Sequence, residues 1–255
     1  MLRIIDARTG DPIEAAPARR GLTRVEVHVP GLDGTALRVL LVADTLVRAL
    51  ELGGTPVWAL LDSAEQRPEV RAAAAALGVR PFEDGREVGR GLGGAQAVHV
   101  VAEDSTAPDP EGIRVAVAAV AAVDGPAEGA GGAVGAVGLS AEGAEPDVLR
   151  FALLSRRRDR TARLDATALQ DAHDTLVRWR RAVAAWAREP SRPVPDEVRG
   201  ELRAAWEDDL DVPGVLRVLR EVESSDLPAG ARFETYAYAD RLLGLELTRD
   251  LGAPA

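Results

Sequence analysis

The sequence predicts an α/β protein: a first half built on a parallel sheet with helices on its faces, followed by an α-helical second half. Two observations carry this expectation. Up to Val123, short apolar runs with strand-like character alternate with helical spacings, as in βαβ units. After the Gly-rich stretch Gly125 to Gly138, apolar residues recur at helical spacing, at Val148, Leu149 and Ala152 and then at Leu169, Ala172, Leu176, Val183 and Trp186. At 255 residues the chain fits one large domain or two small ones, and the change of character places a boundary near Gly143, giving domains 1–143 and 144–255.

The elements follow in order. Leu2 to Asp6 is a short apolar run followed by Thr9-Gly10-Asp11-Pro12, a strand and a turn. In Thr23 to Val29, Val25, Val27 and Val29 alternate with Arg24, Glu26 and His28, the pattern of a strand with one buried face. Gly31 to Thr35 is a turn into Ala36 to Leu52, where Leu37, Leu40, Leu41, Asp44, Leu46, Val47 and Leu50 fit a mostly buried helix closed by Gly53-Gly54. Val57 to Leu61 reads as a strand, Pro68 to Leu77 as a helix ended by Gly78, and Ala97 to Ala102 and Ile113 to Val123 as further buried runs. In the second half, helices are expected over Pro146 to Ser155, around Leu169 to Trp186, and over Asp196 to Trp206, Pro213 to Val222 and Phe233 to Leu243. Trp179, Trp186 and Trp206 sit at helical spacings suited to packing between helices.

Composition excludes several chemistries. Cysteine is absent and all 31 basic residues are Arg, so no thiolate nucleophile, thiolate zinc site, P-loop lysine or pyridoxal Schiff base can come from this chain. The three histidines, His28, His99 and His173, are far apart in sequence and form no H-E-x-x-H motif, so no metal site is expected. A net charge of −10, with both halves acidic, disfavours general nucleic-acid binding. No secretory leader is visible and no uncharged apolar run approaches the roughly 20 residues of a membrane span, which points to a soluble, cytoplasmic protein without membrane contact.

Two motif-like strings do not survive their context. Gly89-Arg90-Gly91-Leu92-Gly93-Gly94 satisfies G-x-G-x-x-G, but it precedes an apolar strand run where the dinucleotide fingerprint must follow a strand and open a helix. Gly138-Leu139-Ser140-Ala141-Glu142-Gly143 misses the nucleophile-elbow pattern by one residue.

Other segments resemble a known family. Leu2-Arg3-Ile4-Ile5-Asp6 and the strand Thr23 to Val29 resemble the amino-terminal segment of cysteinyl-tRNA synthetases. Glu145 to Ser155 looks like the stretch that follows that family's KMSKS loop, Leu164-Asp165 and Leu169 continue the likeness, and Asp208 to Leu216 resembles its later D-D-F-N-T-P-x-A-L segment. The same fold serves the cysteine ligase of mycothiol synthesis. The resemblance implies a Rossmann-like nucleotidyl-transferase domain followed by a helical domain.

Where the family carries a zinc-binding Cys and a HIGH motif, this chain has only Pro30 to Thr35, and Leu139-Ser140 is a faint trace of KMSKS with both Lys gone. In the family those groups neutralise the triphosphate as the adenylate forms, so their loss removes transition-state stabilisation. The expected ligand crevice comprises Asp33, Gly34 and Thr35 at the HIGH position, Ser140, and His99 with Glu103 and Asp104 after its strand. The plainer accounts are helix capping by Asp33 or Thr35 and a half-buried His beside solvated acids. Asp208, Asp209 and Asp211 are read as capping the next helix rather than as a metal site. Arg156, Arg157 and Arg158, with Arg160, Arg178, Arg180 and Arg181, form the one dense basic cluster, a candidate partner surface whose plainer reading is a solvated helix end.

The expected function is therefore that of a catalytically degenerate synthetase-like protein acting as a non-catalytic partner or regulatory subunit, with a protein partner or a second copy of itself. The alternative is a diverged ATP-dependent ligase or nucleotide-binding protein. No cofactor is required by the first account, while ATP or another nucleotide is open under the second; the acidic balance argues against tRNA.

Overall fold

The computed structural model describes residues 1–17, 22–63, 67–84, 96–105, 112–121 and 145–252. Its centre is a five-stranded parallel sheet in the order β5-β4-β3-β6-β7, formed by β3 (Thr23–Val29), β4 (Val57–Ser63), β5 (Glu83–Asp84), β6 (Gln96–Ala102) and β7 (Ile113–Val117). The chain thus lays β4 and β5 on one side of β3, then crosses to place β6 and β7 on the other. β3 becomes the middle strand, hydrogen-bonded on both edges.

Alternation along β3 sorts its side chains between the two faces of the sheet. Val25 and Val27 are fully buried on the face where α1 (Gly34–Leu52) packs. Arg24, Glu26 and His28 point to the opposite face, and the register partners of Glu26 and His28 on β6 are His99 and Val101. α1 is buried almost all round, which is why its sequence shows little amphipathic contrast. α2 (Arg67–Ala76) follows β4, as expected from the sequence.

Two small sheets flank this core. β1 (Arg3–Ile5) and β2 (Pro12–Glu14) form an antiparallel hairpin, and β8 (Val120–Ala121) pairs in parallel with β9 (Ala162–Arg163). The two-residue strand β9 carries too short a pattern to be read from sequence, and the described part of the buried run expected over Ile113 to Val123 forms two strands, β7 and β8, separated by Ala118 and Ala119.

The second half supplies α3 (Pro146–Leu154), α4 (Ala166–Trp186), α5 (Asp196–Glu207), α6 (Val212–Glu223) and α7 (Ala229–Leu243). Trp179 is fully buried and meets Phe151 and Tyr236 edge-on at 5.6 and 5.4 Å, while Trp186 meets Tyr236 at 5.1 Å, so these tryptophans join helices as the spacing predicted. One apolar cluster runs from Val25 and Leu40 to Leu176 and Leu242, across both halves. The boundary expected near Gly143 and the Gly-rich stretch before it lie outside the described residues.

Buried arginines link the halves. Arg150 on α3 donates to Asp44 of α1 at 2.9 Å, to the Leu77 carbonyl after α2 at 2.9 Å and to the Leu243 carbonyl of α7 at 2.8 Å. α7 ends at Gly244, whose φ of +59° suits glycine, and a Cβ there would stand 2.8 Å from the Arg150 guanidinium. Arg38 on α1 donates to the carbonyls of Ala118, Arg157 and Arg160, and burial brings its pKa down to about 10.

Candidate functional site

Ligands of open parallel sheets gather at the carboxyl ends of the strands. On the face away from α1, the register of β3 against β6 brings Glu26, His28 and His99 together, with Glu26 and His99 at the middle of their strands and His28 nearer the carboxyl end of β3. His28 Nε2 lies 3.0 Å from His99 Nδ1, and Glu26 Oε2 stands 3.8 Å from the first nitrogen and 3.5 Å from the second. His99 is buried and His28 nearly so, whereas Glu26 is partly exposed. The histidines, distant in the sequence, are therefore neighbours in space.

Each group has a local reason for its position. Glu26 Oε1 is ion-paired with Arg24, two residues back on the same face, which leaves Oε2 turned to the imidazoles. His28 Nδ1 faces the Asp62 carboxylate of β4 at 3.4 Å but makes no hydrogen bond of normal geometry. Burial, reinforced by His99, pushes the His28 imidazole below its usual value, against the opposing pull of Asp62 and Glu26. A neutral ring at neutral pH can donate from one nitrogen and accept, or bind a cation, at the other.

The other expected crevice residues scatter. Asp33 is the N-cap of α1, its carboxylate accepting from the Ala36 amide at 2.6 Å. Gly34 is the first, buried residue of that helix, and Thr35 Oγ1 accepts from Val120 N at 3.1 Å, tying α1 to β8 rather than capping it. Glu103 and Asp104 are exposed beyond the end of β6. Glu103 lines a cleft of about 370 Å³ with Ile5, Arg114, Arg158, Asp159 and Asp209. Ser140 and both motif-like glycine strings lie outside the described residues.

The basic cluster is corrected more sharply. Arg158 is buried, donating to the carbonyls of Ala116 at 2.7 Å and Ile5 at 3.1 Å and paired with buried Asp209. It is an internal staple and cannot belong to a partner surface. Arg157 is half-exposed and faces Asp159, Asp209 and Asp211, so Arg156 is the one of the three that is exposed. Arg180 is buried against Asp147 at 2.6 Å, and Arg178 pairs with Glu223 at 2.8 Å. Asp211 does cap α6, accepting from Gly214 N at 3.2 Å.

No family model matches the chain. Over 109 residues it is 36% identical to the L-cysteine:1D-myo-inositol 2-amino-2-deoxy-alpha-D-glucopyranoside ligase of Streptosporangium roseum, a stretch that is 41% of this chain and 26% of that protein. It is 39% identical over 93 residues to the ligase of the same name from Parafrankia sp., covering 36% of this chain and 20% of that one. With the ligase of Stackebrandtia nassauensis the identity is 37% over 121 residues, 44% of this chain and 26% of the relative. Over these stretches the chain is similar to the three ligases. The matched stretch covers about a quarter or less of each ligase.

The thiolate zinc site that the synthetase resemblance implies does not fit this chain, because it has no Cys. What its sheet offers in place of thiolates is two imidazoles and a carboxylate. Sequence reading placed Glu26 and His28 on the outward face of a strand but did not join them to His99; the one signal present was that three polar side chains fall on apolar parallel strands.

Proposed function

We propose that this chain does not activate cysteine itself and works as a non-catalytic binding protein, with another protein subunit as its partner. The observation that carries the proposal is the amino-terminal end of α1. In an open parallel sheet this helix end is where amides and helix dipole would hold an anionic phosphate. Here the interval from β3 is only Pro30 to Asp33, and the Asp33 carboxylate already accepts from the Ala36 amide.

A triphosphate at the same place would meet a like charge. Two unit charges about 4 Å apart repel by about 4 kcal/mol at an effective dielectric constant of about 20. No lysine exists anywhere in the chain to offset this. With the groups for adenylate formation replaced by a helix cap, binding is the activity left to the fold, and the exposed side chain of Arg156 is what remains of the candidate contact edge.

Pyrophosphate exchange with ATP and cysteine tests the proposal. The expected rate equals that of a no-enzyme control, and Asp33→Asn leaves it there. Exchange clearly above the control in the wild-type protein overturns the proposal in favour of a diverged ligase.

A further inference from the structure

The spacing of Glu26, His28 and His99 is that of metal ligands. Four donors placed about 2.0–2.1 Å from a tetrahedral zinc ion lie about 3.3–3.4 Å from one another. The three donor atoms here are separated by 3.0, 3.5 and 3.8 Å, edges that bracket that value, and all lie on one face of adjacent strands. A simple hydrogen bond between the two imidazoles explains the shortest edge but not the carboxylate oxygen facing both rings.

The surroundings support the same use. Binding a cation through Nε2 places the His28 ring proton on Nδ1, which faces Asp62 Oδ2 at 3.4 Å and is otherwise buried without a hydrogen bond. A carboxylate behind the non-ligating nitrogen is the usual support of a metal-bound histidine. Arg24 holds the second oxygen of Glu26 and so fixes which one faces the rings. Gly112, at φ +107°, presents bare backbone to His99: a Cβ there would stand 3.0 Å from His99 Nε2, so the ring is confined on that side too.

We propose that Glu26, His28 and His99 bind one divalent first-row cation, with zinc as the best match to two imidazoles and a carboxylate. Three protein donors leave a fourth position for water or a small-molecule donor, the arrangement of an open rather than a structural site. This donor set is the chain's own and does not depend on whether it activates cysteine.

The experiment titrates chelator-treated protein with Zn²⁺ by calorimetry and with Co²⁺ by visible absorption. The expected result is one ion per chain, the intense visible bands of four-coordinate cobalt, and affinity lowered at least tenfold in both His28→Gln and Glu26→Gln. Because changes on the central strand can also weaken folding, the partly exposed Asp62→Asn provides a milder variant: circular dichroism should match wild type while affinity falls about 10–100-fold, as for loss of a ligand-orienting carboxylate. Absence of stoichiometric binding to folded wild-type protein overturns the proposal. So does binding that His28→Gln and Glu26→Gln both leave unchanged. Pyrophosphate exchange is measured separately, so failure of either proposal is read without the other.

Discussion

Arg156 and Arg158 stand two residues apart and occupy opposite environments. The Arg156 side chain is in solvent, whereas Arg158 is buried against Asp209, two backbone carbonyls completing its hydrogen bonds. Asp209 is itself held at a left-handed φ of +54°, followed by Leu210 at the same angle, a conformation that non-glycine residues adopt only when their surroundings compel it. The compulsion is visible: Asp209 also accepts from Ile5 N at 2.9 Å and donates its own amide to Arg3 O at 2.9 Å. Arg158→Glu therefore leaves two carboxylates facing each other inside the protein and is expected to cost about 3–5 kcal/mol. Arg156→Glu should stay within about 0.5 kcal/mol of wild type. Urea unfolding of the two variants checks this, and equal midpoints would mean that Arg158 does not hold the fold.

At the scale of the element, α1 is the helix that the rest of the chain is built around. Its apolar pattern was legible because nearly every turn is buried, while its cap, which the sequence leaves open between Asp33 and Thr35, is Asp33. The role of Asp44 in its middle was not. Buried on α1, Asp44 receives Arg150 at 2.9 Å, Arg48 at 2.8 Å and Arg80 at 3.0 Å, so one carboxylate serves three guanidinium groups. Burial by itself would raise its pKa, but the charge of Arg150, then that of Arg48, and the hydrogen bonds outweigh burial and hold it below the usual carboxylate range. A carboxylate with a depressed folded pKa stabilises the protein above its unfolded value, near 4 for an ordinary Asp, and that contribution is lost as pH falls through the folded pKa. The expected outcome is a urea midpoint that drops below about pH 4 in wild type. In Asp44→Asn the midpoint is already lower at pH 7 and depends less on acid, because the titrating group is gone. A variant with the same pH profile as wild type would show that Asp44 is not the group responsible.

For the molecule as a whole, the question is whether its two halves unfold together. The apolar cluster is continuous from the sheet to the helices, and Arg38, Arg150 and Arg158 each bond to backbone on the far side of the junction. Unfolding either half would expose apolar surface and strand buried charges on the other. Differential scanning calorimetry is expected to show one transition whose calorimetric and van't Hoff enthalpies agree. Two resolved transitions would mean that the regions 1–143 and 144–255 are energetically separate domains. Among the described residues, no helix is long and apolar enough to cross a membrane.

The sequence by itself determined the order and kind of the longer elements, because helix and strand periodicity is a local property of ten or so residues, whereas the strands of two or three residues β2, β5, β8 and β9 carry too little pattern to be read. It also determined what chemistry is absent, since a chain without Lys or Cys cannot acquire either by folding. Only the tertiary structure decided which side chains meet. His28 and His99 are 71 positions apart and become neighbours because β6 pairs with β3 across the edge that β4 leaves free. Arg158 looked like a surface charge among other arginines, yet its partner Asp209 lies 51 residues away and the two enter the interior as a pair. Strand order and buried ion pairs depend on long-range packing and on how distant segments shield one another from water, and no local pattern carries that information.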